Sequence, residues 1–205
     1  MFKFKGDLID VRTTDTLVET NKGVDLVMHT VSSFAPDTTP DFRIESYLIE
    51  KYREKNGKMC FDDGVGSLTG SVYKKRYEFD DLKPRKVEEF IEHLREKNPE
   101  YFITLIKVDE NMKGKGVGTV MLEFSEYLFA KYLKSAKKKE GLIRGMLVPF
   151  DMRKYQETKN FYVKNGYSIH PYIALNGQFD EMLYKKLSVE EVMDRDNRET
   201  FERIV

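Results

Sequence analysis

The run Tyr101-Phe102-Ile103-Thr104-Leu105-Ile106-Lys107-Val108 is nearly continuous in apolar and β-branched residues, and across a short glycine-rich segment it meets a helical pattern. A run of that kind reads as a strand covered on both faces, a situation that the middle of a sheet provides. Beyond the glycines, Val117, Val120, Met121, Phe124 and Leu128 fall on one face of a long helix reaching about Lys134. Strand, tight turn and helix are therefore the fixed point of the fold, and the rest of the chain has to supply neighbours for that strand.

Downstream, Leu142 to Val148 reads as a second buried strand ended by Pro149, and Lys154 to Lys164 as a helix with Gly166 placed as its C-cap. Two strand-like runs follow, Tyr167 to Leu175 and Met182 to Leu187, around the turn Asn176-Gly177. Ser188 with Glu191 forms a capping box for a last helix carrying Val189, Val192 and Met193. Upstream, the apolar stretches Leu8, Ile9, Val11 and Val24, Leu26, Val27, Met28 flank Gly23 and read as strands, or as a strand and a loop. Asp41 opens a stretch with Ile44, Tyr47, Leu48 and Tyr52 on one helical face, stopped by Asn56 and Gly57, which predicts a helix. Met59 to Phe61 and Ser71 to Phe79 read as strands joined by a loop with Gly64, Gly66 and Gly70. Pro84 then precedes a helix bearing Val87, Phe90, Ile91 and Leu94, closed by Asn98 and Pro99.

Composition narrows the class of function. A chain of 205 residues can hide about 70% of its unfolded surface and needs no staple to hold a core. The single Cys60 excludes an internal disulfide framework and a multi-Cys zinc site, and His29, His93 and His170 are too scattered for a local ligand spacing, so no metal is expected. No stretch approaches the roughly 18 apolar residues of a membrane span or the core of a signal peptide, which predicts a cytoplasmic protein without membrane partners. With 35 Lys+Arg against 35 Asp+Glu there is no global basic field for nucleic acid. The local run Lys134, Lys137, Lys138, Lys139 reads as the solvated end of the long helix, where cations are favoured.

The chemistry concentrates in Lys113-Gly114-Lys115-Gly116-Val117-Gly118. A turn of this kind leaves backbone N–H groups free at a helix N-terminus, where they and the helix dipole favour phosphate oxygens. Glycines let the phosphate approach the backbone and allow φ > 0, and Lys113 and Lys115 add positive charge. The dinucleotide and Walker A spacings both fail, because Thr119 stands where a glycine would be required. The earlier cluster Gly64, Gly66, Gly70 fails likewise at Thr69 and reads as a hairpin loop.

Lys113, Gly116 and Gly118, after Ile106-Lys107-Val108, resemble the acetyl-CoA loop of the GNAT N-acetyltransferase superfamily, and Phe161-Tyr162-Val163-Lys164-Asn165-Gly166-Tyr167 is similar to that family's aromatic-Tyr-x-Lys-x-Gly-aromatic segment. The resemblance covers Tyr101 to about Leu187. It implies an α/β fold of α+β type: a three-layer α/β/α sandwich around a mixed, mostly antiparallel sheet with a splayed central strand pair. It implies residues 1–187 as one domain, with 1–100 on the acceptor side and 101–187 binding acetyl-CoA, and 188–205 as a helical extension. It further implies that Ile106, Lys107 and Val108 run along the pantetheine arm. The amides of Gly114, Lys115, Gly116, Val117, Gly118 and Thr119 would then surround the diphosphate, with Asn160 and Lys164 as further cofactor contacts.

The activity implied is acetyl transfer from acetyl-CoA, a co-substrate, directly to a primary amine on a small molecule or peptide. Tyr162 would then protonate the departing thiolate, since a tyrosine near pKa 10 carries its proton at pH 7. The Val108 N–H would be aimed at the developing oxyanion. An amine near pKa 10.4 is neutral only about once in a few thousand at pH 7, worth roughly 4 to 5 kcal/mol of barrier. Tyr101 to Val108 contains no carboxylate, so Glu181, Asp180, Asp62 and Asp63 are the candidate bases or cation-binding groups. Lys113 in place of the usual Arg or Gln gives a point charge without a planar fork. Tyr155 stands where relatives often carry an Asn, and Thr158 where a small Ala is common. The alternative on the same fold is a non-catalytic acyl-CoA-binding or protein-interaction module acting through the C-terminal helix, whose amphipathic face also suits a homodimer.

Overall fold

The structure, a computed structural model, describes residues 10–34, 41–48, 53–55, 58–60, 64–73, 98–147, 152–173, 179–195 and 202–203. The chain is of α/β class, with mixed and mostly antiparallel strand pairing. It divides into two compact units, Met1–Ser71 with Leu105–Met121 and Thr200–Val205, and Val72–Thr104 with Leu122–Glu199.

In the first unit, β1 (Asp10–Glu19) and β2 (Asp25–Phe34) form an antiparallel hairpin closed around Gly23, whose φ of +70° only glycine adopts freely. β3 (Asp41–Leu48) pairs with β2, from Leu26↔Leu48 to Ser33↔Asp41. The short hairpin β4 (Arg53–Lys55) and β5 (Lys58–Cys60) follows, and then β6 (Gly66–Tyr73), paired to β3 from Asp41↔Ser71 to Ser46↔Gly66. Glu202–Arg203, which is β11, lies along the outer side of β1.

The helix expected from Asp41 onward is thus a strand over Asp41–Leu48. Ile44, Tyr47 and Leu48 fit a helical face, but Phe42, Ile44 and Ser46 also alternate, and these three are buried together. Over so short a segment the two periods are not distinguishable, and pairing to β2 on one side and β6 on the other decides for the extended form. The opposite face carries Arg43, Glu45 and Tyr47, whose hydroxyl donates to Glu45 Oε2 at 2.6 Å.

A second expectation fails for a related reason. Gly66 and Gly70 lie inside β6 rather than in a loop, and the strand expected over Ser71 to Phe79 begins earlier and is described only to Tyr73. Gly66 is where the backbone must be approached closely. A Cβ there would stand 2.8 Å from both Met121 Cε and Ser46 Oγ. The helix expected after Pro84 lies outside the described residues.

The second unit is built on β7 (Glu100–Val108), which passes into the first unit at Leu105. β8 (Glu140–Met146) is parallel to β7, with β10 (Phe179–Ser188) antiparallel to β8 and β9 (Ser168–Ile173) antiparallel to β10. Register with β8 runs from Glu100↔Leu142 to Ile103↔Gly145 and stops there, although β7 runs on to Val108. This is the splay. Tyr101 and Ile103, on one face, are buried, Phe102 on the other is half-buried against Leu142, Met182 and Tyr184, and from Thr104 onward the side chains are half-buried or exposed, so the expected cover on both faces is complete on one face only, and only over the first half of the strand.

Helix α1 (Val117–Ser135) enters this unit at Leu122, α2 is Tyr155–Lys164 and α3 is Val189–Arg195. Phe129 and Leu133 of α1 lie over Gly141 of β8, and full burial of such side chains stabilises by about 1.5–3 kcal/mol each. The end of α1 is a Schellman cap with Lys137 in the left-handed position at φ +56°, its N–H on the Lys134 carbonyl and the Lys138 N–H on that of Leu133. Lys134 in the last turn is thus a cation at a helix C-terminus, as the bland reading of the lysine run requires. Glu191 N–H reaches Ser188 Oγ at 3.5 Å, the cap expected for the last helix.

A Cβ on Gly141 would lie 2.7 Å from the Phe129 ring and 2.8 Å from Leu133. Gly141→Ala should therefore lower unfolding free energy by about 1–3 kcal/mol through overpacking. Urea denaturation measures it, and an unchanged midpoint would contradict the packing described.

Candidate functional site

The sequence leading into α1 is built as a bare helix N-terminus. Asp109 N–H bonds the Val65 carbonyl at 3.0 Å, ending β7, and a single 3₁₀ turn, Glu110–Met112, pins the loop through the buried Met112. Two glycines then take left-handed backbone, Gly114 at φ +76° and Gly116 at φ +84°. Gly114 has open space around its Cα, but a Cβ on Gly116 would come within 2.7 Å of Asn21 Oδ1 on the β1–β2 turn. Gly118 is different, since it lies within α1 and is not among the positive-φ positions.

The first intrahelical bond at this end is Val120 N–H to the Gly116 carbonyl at 3.0 Å. The N–H groups of Val117, Gly118 and Thr119 precede it and have no acceptor within the helix. No acidic residue stands in the first turn to answer the helix dipole. The cations are placed less directly than the sequence suggests. Lys113 Nζ is 2.6 Å from Glu110 Oε1 and both are exposed, while Lys115 Nζ rests 3.7 Å from Met112 Sδ. Of the arm-side residues, Ile106 and Val108 are half-buried and Lys107 is exposed.

In the second unit the segment Phe161 to Tyr167 has a simple physical form: a Schellman cap. Gly166, at φ +81°, sends its N–H to the Val163 carbonyl at 3.0 Å, and Tyr167 sends its own to the Tyr162 carbonyl at 3.1 Å. The side chains at the two ends of that motif meet, as such caps favour. The Tyr162 and Tyr167 rings stand edge to face with centroids 5.7 Å apart, and Phe161 closes on Tyr162 from another side at 5.1 Å. Tyr162 is buried, and among the described residues its hydroxyl has no hydrogen-bond partner. Burial pushes its phenol well above the ordinary tyrosine value, so it is a proton holder throughout the neutral range.

Glu181 is engaged on both oxygens. Tyr155 donates its hydroxyl to Oε2, and Lys159 Nζ lies 2.8 Å from Oε1. Burial raises this carboxyl, but the hydrogen bonds from Lys159 and Tyr155 and the Lys159 charge outweigh it, leaving it below the ordinary value of 4.5. The pair's stabilisation is thus complete above that value and is lost as pH falls through the lowered one. Tyr155, which stands where relatives of the resembled family often carry an Asn, holds this carboxylate. Asn160 is exposed and accepts from Gln156 Nε2 at 2.9 Å, and Lys164 is exposed in the last turn of α2. Of Asp180 only the strand position opposite Tyr172 is described, and Asp62 and Asp63 lie outside the described residues. Glu100, which the structure adds to β7, is bound to Arg144. Among the described residues no cluster of three or more His, Cys, Asp or Glu could hold a metal, and no helix is long and apolar enough to cross a membrane.

No protein-family model matches the chain, nor does any curated protein. Solved structures similar to it include acetyltransferases. One is a Desulfovibrio desulfuricans protein described as a GNAT-family acetyltransferase, 14% identical, covering 73% of this chain and 69% of its own, with a TM-score of 0.41. Another is AtaT in complex with acetyl-methionyl-tRNA, 8% identical over 77% of this chain and 75% of its own, with a TM-score of 0.42. A third is a KacTA–DNA complex, 10% identical over 80% and 76% of the two chains, with a TM-score of 0.41.

Because Gly118 lies within the helix rather than in the left-handed turn, it offers a clean test of the loop. Gly118→Glu should stabilise the free protein by about 1 kcal/mol, through helix propensity and a charge suited to the N-terminus. If these amides hold a diphosphate, acetyl-CoA should raise the melting temperature of the unaltered protein, and the same anion should abolish that rise. A retained rise would show that the cofactor does not use these amides.

Proposed function

We propose that the chain is an acetyl-CoA-dependent N-acetyltransferase that passes the acetyl group directly to a primary amine. The observation that carries this reading is the turn from β7 into α1. Two left-handed glycines and a first turn without acid present amides that have no acceptor within the helix, where a diphosphate can be bound. In this reading the amides of Gly114 to Thr119 hold the diphosphate, Ile106, Lys107 and Val108 follow the pantetheine arm, and the Val108 N–H supports the oxyanion. Asn160 and Lys164 are further contacts to the cofactor.

The amine nitrogen attacks the thioester carbonyl carbon, the C–S bond breaks, and the departing thiolate accepts a hydrogen bond from the Tyr162 hydroxyl. Solvent receives the proton of the amine and protonates the released thiolate. At ordinary values a phenol near 10 is a weaker acid than a thiol near 8.5, so complete transfer costs about 2 kcal/mol. A buried Tyr162, with its raised value, therefore acts chiefly by keeping a hydrogen bond on the sulfur while negative charge builds there. Glu181, held ionised by Lys159 and Tyr155, is a weak base at pH 7 and contributes its charge near α2 rather than proton removal.

The acceptor is to be found by following free thiol from acetyl-CoA with an amine panel: a polyamine, an aminoglycoside, a lysine peptide, a peptide with a free N-terminus and an aminoacyl-tRNA. Tyr162→Phe should lower turnover by about 10² to 10⁴ with little change in acetyl-CoA binding. Unaltered turnover would reject the assignment, and binding without thiol release across the panel would favour the non-catalytic acyl-CoA module. For a lysine-like amine, kcat/KM should rise about tenfold per pH unit between 7 and 9 as the free base accumulates, and Glu181→Gln should leave that slope unchanged.

A further inference from the structure

The residues that hold Tyr162 in place form a buried polar cluster that no part of the proposed chemistry uses. Glu126 of α1 is only 4% exposed. Lys185 of β10 donates to its Oε1 at 2.6 Å and its Oε2 at 2.8 Å, and to the Asn165 carbonyl at 2.9 Å. The three donors of the ammonium are thereby all used. Tyr167 gives its hydroxyl to Glu126 Oε1 at 3.0 Å, and the Lys185 ammonium lies 5.0 Å from the centre of the Tyr167 ring.

Each of these groups ends at the same place. Asn165 is the C-cap of α2, and its side-chain amide donates to the Phe161 carbonyl at 2.8 Å. Lys185 thus sets a cation at the C-terminus of the helix that carries Tyr162, where the dipole favours it. Tyr167, two residues after that cap, bonds the Tyr162 carbonyl with its N–H and supports the Tyr162 ring with its own. Gly166 is called for here by its left-handed backbone and not by space, since a Cβ there would meet Lys185 Nζ at an ordinary 3.7 Å. A buried ion pair is seldom retained for stability alone, because desolvating both charges offsets most of their attraction. What this one supplies is a fixed orientation of one aromatic ring.

We infer that Tyr167, Glu126 and Lys185 are positioning residues for Tyr162, with Glu126 fixing the Tyr167 ring and Lys185 fixing the helix end. The inference rests on the reading of Tyr162 as the hydrogen-bond donor to the leaving sulfur. Tyr167→Phe keeps the ring and removes only its bond to Glu126, so the fold survives. With the fastest amine of the panel, it should lower kcat about tenfold while KM for acetyl-CoA stays within about twofold. In a Tyr162→Phe background the same change should cost nothing further, the non-additivity expected when one residue acts through another.

An equal loss in both backgrounds, or none in either, would overturn the positioning role. If Tyr162→Phe itself left turnover intact, the reading of Tyr162 as donor to the leaving sulfur would fall first and this inference with it. A readout that needs no acceptor is the NMR signal of ζ-¹³C tyrosine. The Tyr162 resonance should be single and sharp in the unaltered protein and shifted or broadened in Tyr167→Phe and in Glu126→Gln, and an unmoved resonance would contradict the role.

Discussion

Two residues in left-handed backbone, Gly114 and Gly116, turn the chain from β7 into α1, and the candidate chemistry depends on that turn. Side chains at these positions would cost about 1–2 kcal/mol each in backbone strain. At Gly116 a side chain would also collide with Asn21. The turn delivers Val117, Gly118 and Thr119 to the start of a 19-residue helix, where their N–H groups have no acceptor within the helix. The first turn holds no internal anion, so the positive end of the helix dipole is left for a ligand.

The catalytic half of the proposal follows from where charge must go. An amine attacking a thioester produces a thiolate and releases a proton, and a buried phenol is suited to the first and unsuited to the second. Burial removes Tyr162 as a base and keeps it as a donor. Glu181 is the mirror case: bound by Lys159 and Tyr155, it stays ionised and grips protons weakly. A phenol and a carboxyl differ in acid strength to begin with, their surroundings widen the difference, and the proposal gives them different parts accordingly.

Local signals made one half of this legible. β7, α1, β8 and α2 are each announced by a run, a period or a cap within the segment itself, and the Tyr162-to-Tyr167 segment could be found because a Schellman cap fixes the spacing of its glycine. What stayed hidden was non-local. The identity of β3 depends on β2 and β6, and the short apolar pattern of Ile44, Tyr47 and Leu48 fits a helix equally well. Gly66 and Gly70 look like loop residues until Met121 is seen resting on Gly66. The ion pair of Glu126 with Lys185 joins residues 59 apart in sequence, and no motif links them. The Lys113–Glu110 pair, by contrast, spans a single turn and could have been anticipated from the i,i+3 spacing.

The account stands or falls on the turn between β7 and α1, and a crystal structure of the chain with acetyl-CoA addresses it most directly. The account predicts diphosphate oxygens within hydrogen-bond distance of the amides of Val117, Gly118 and Thr119. Acetyl-CoA bound elsewhere, with those amides turned onto protein or solvent, would contradict it.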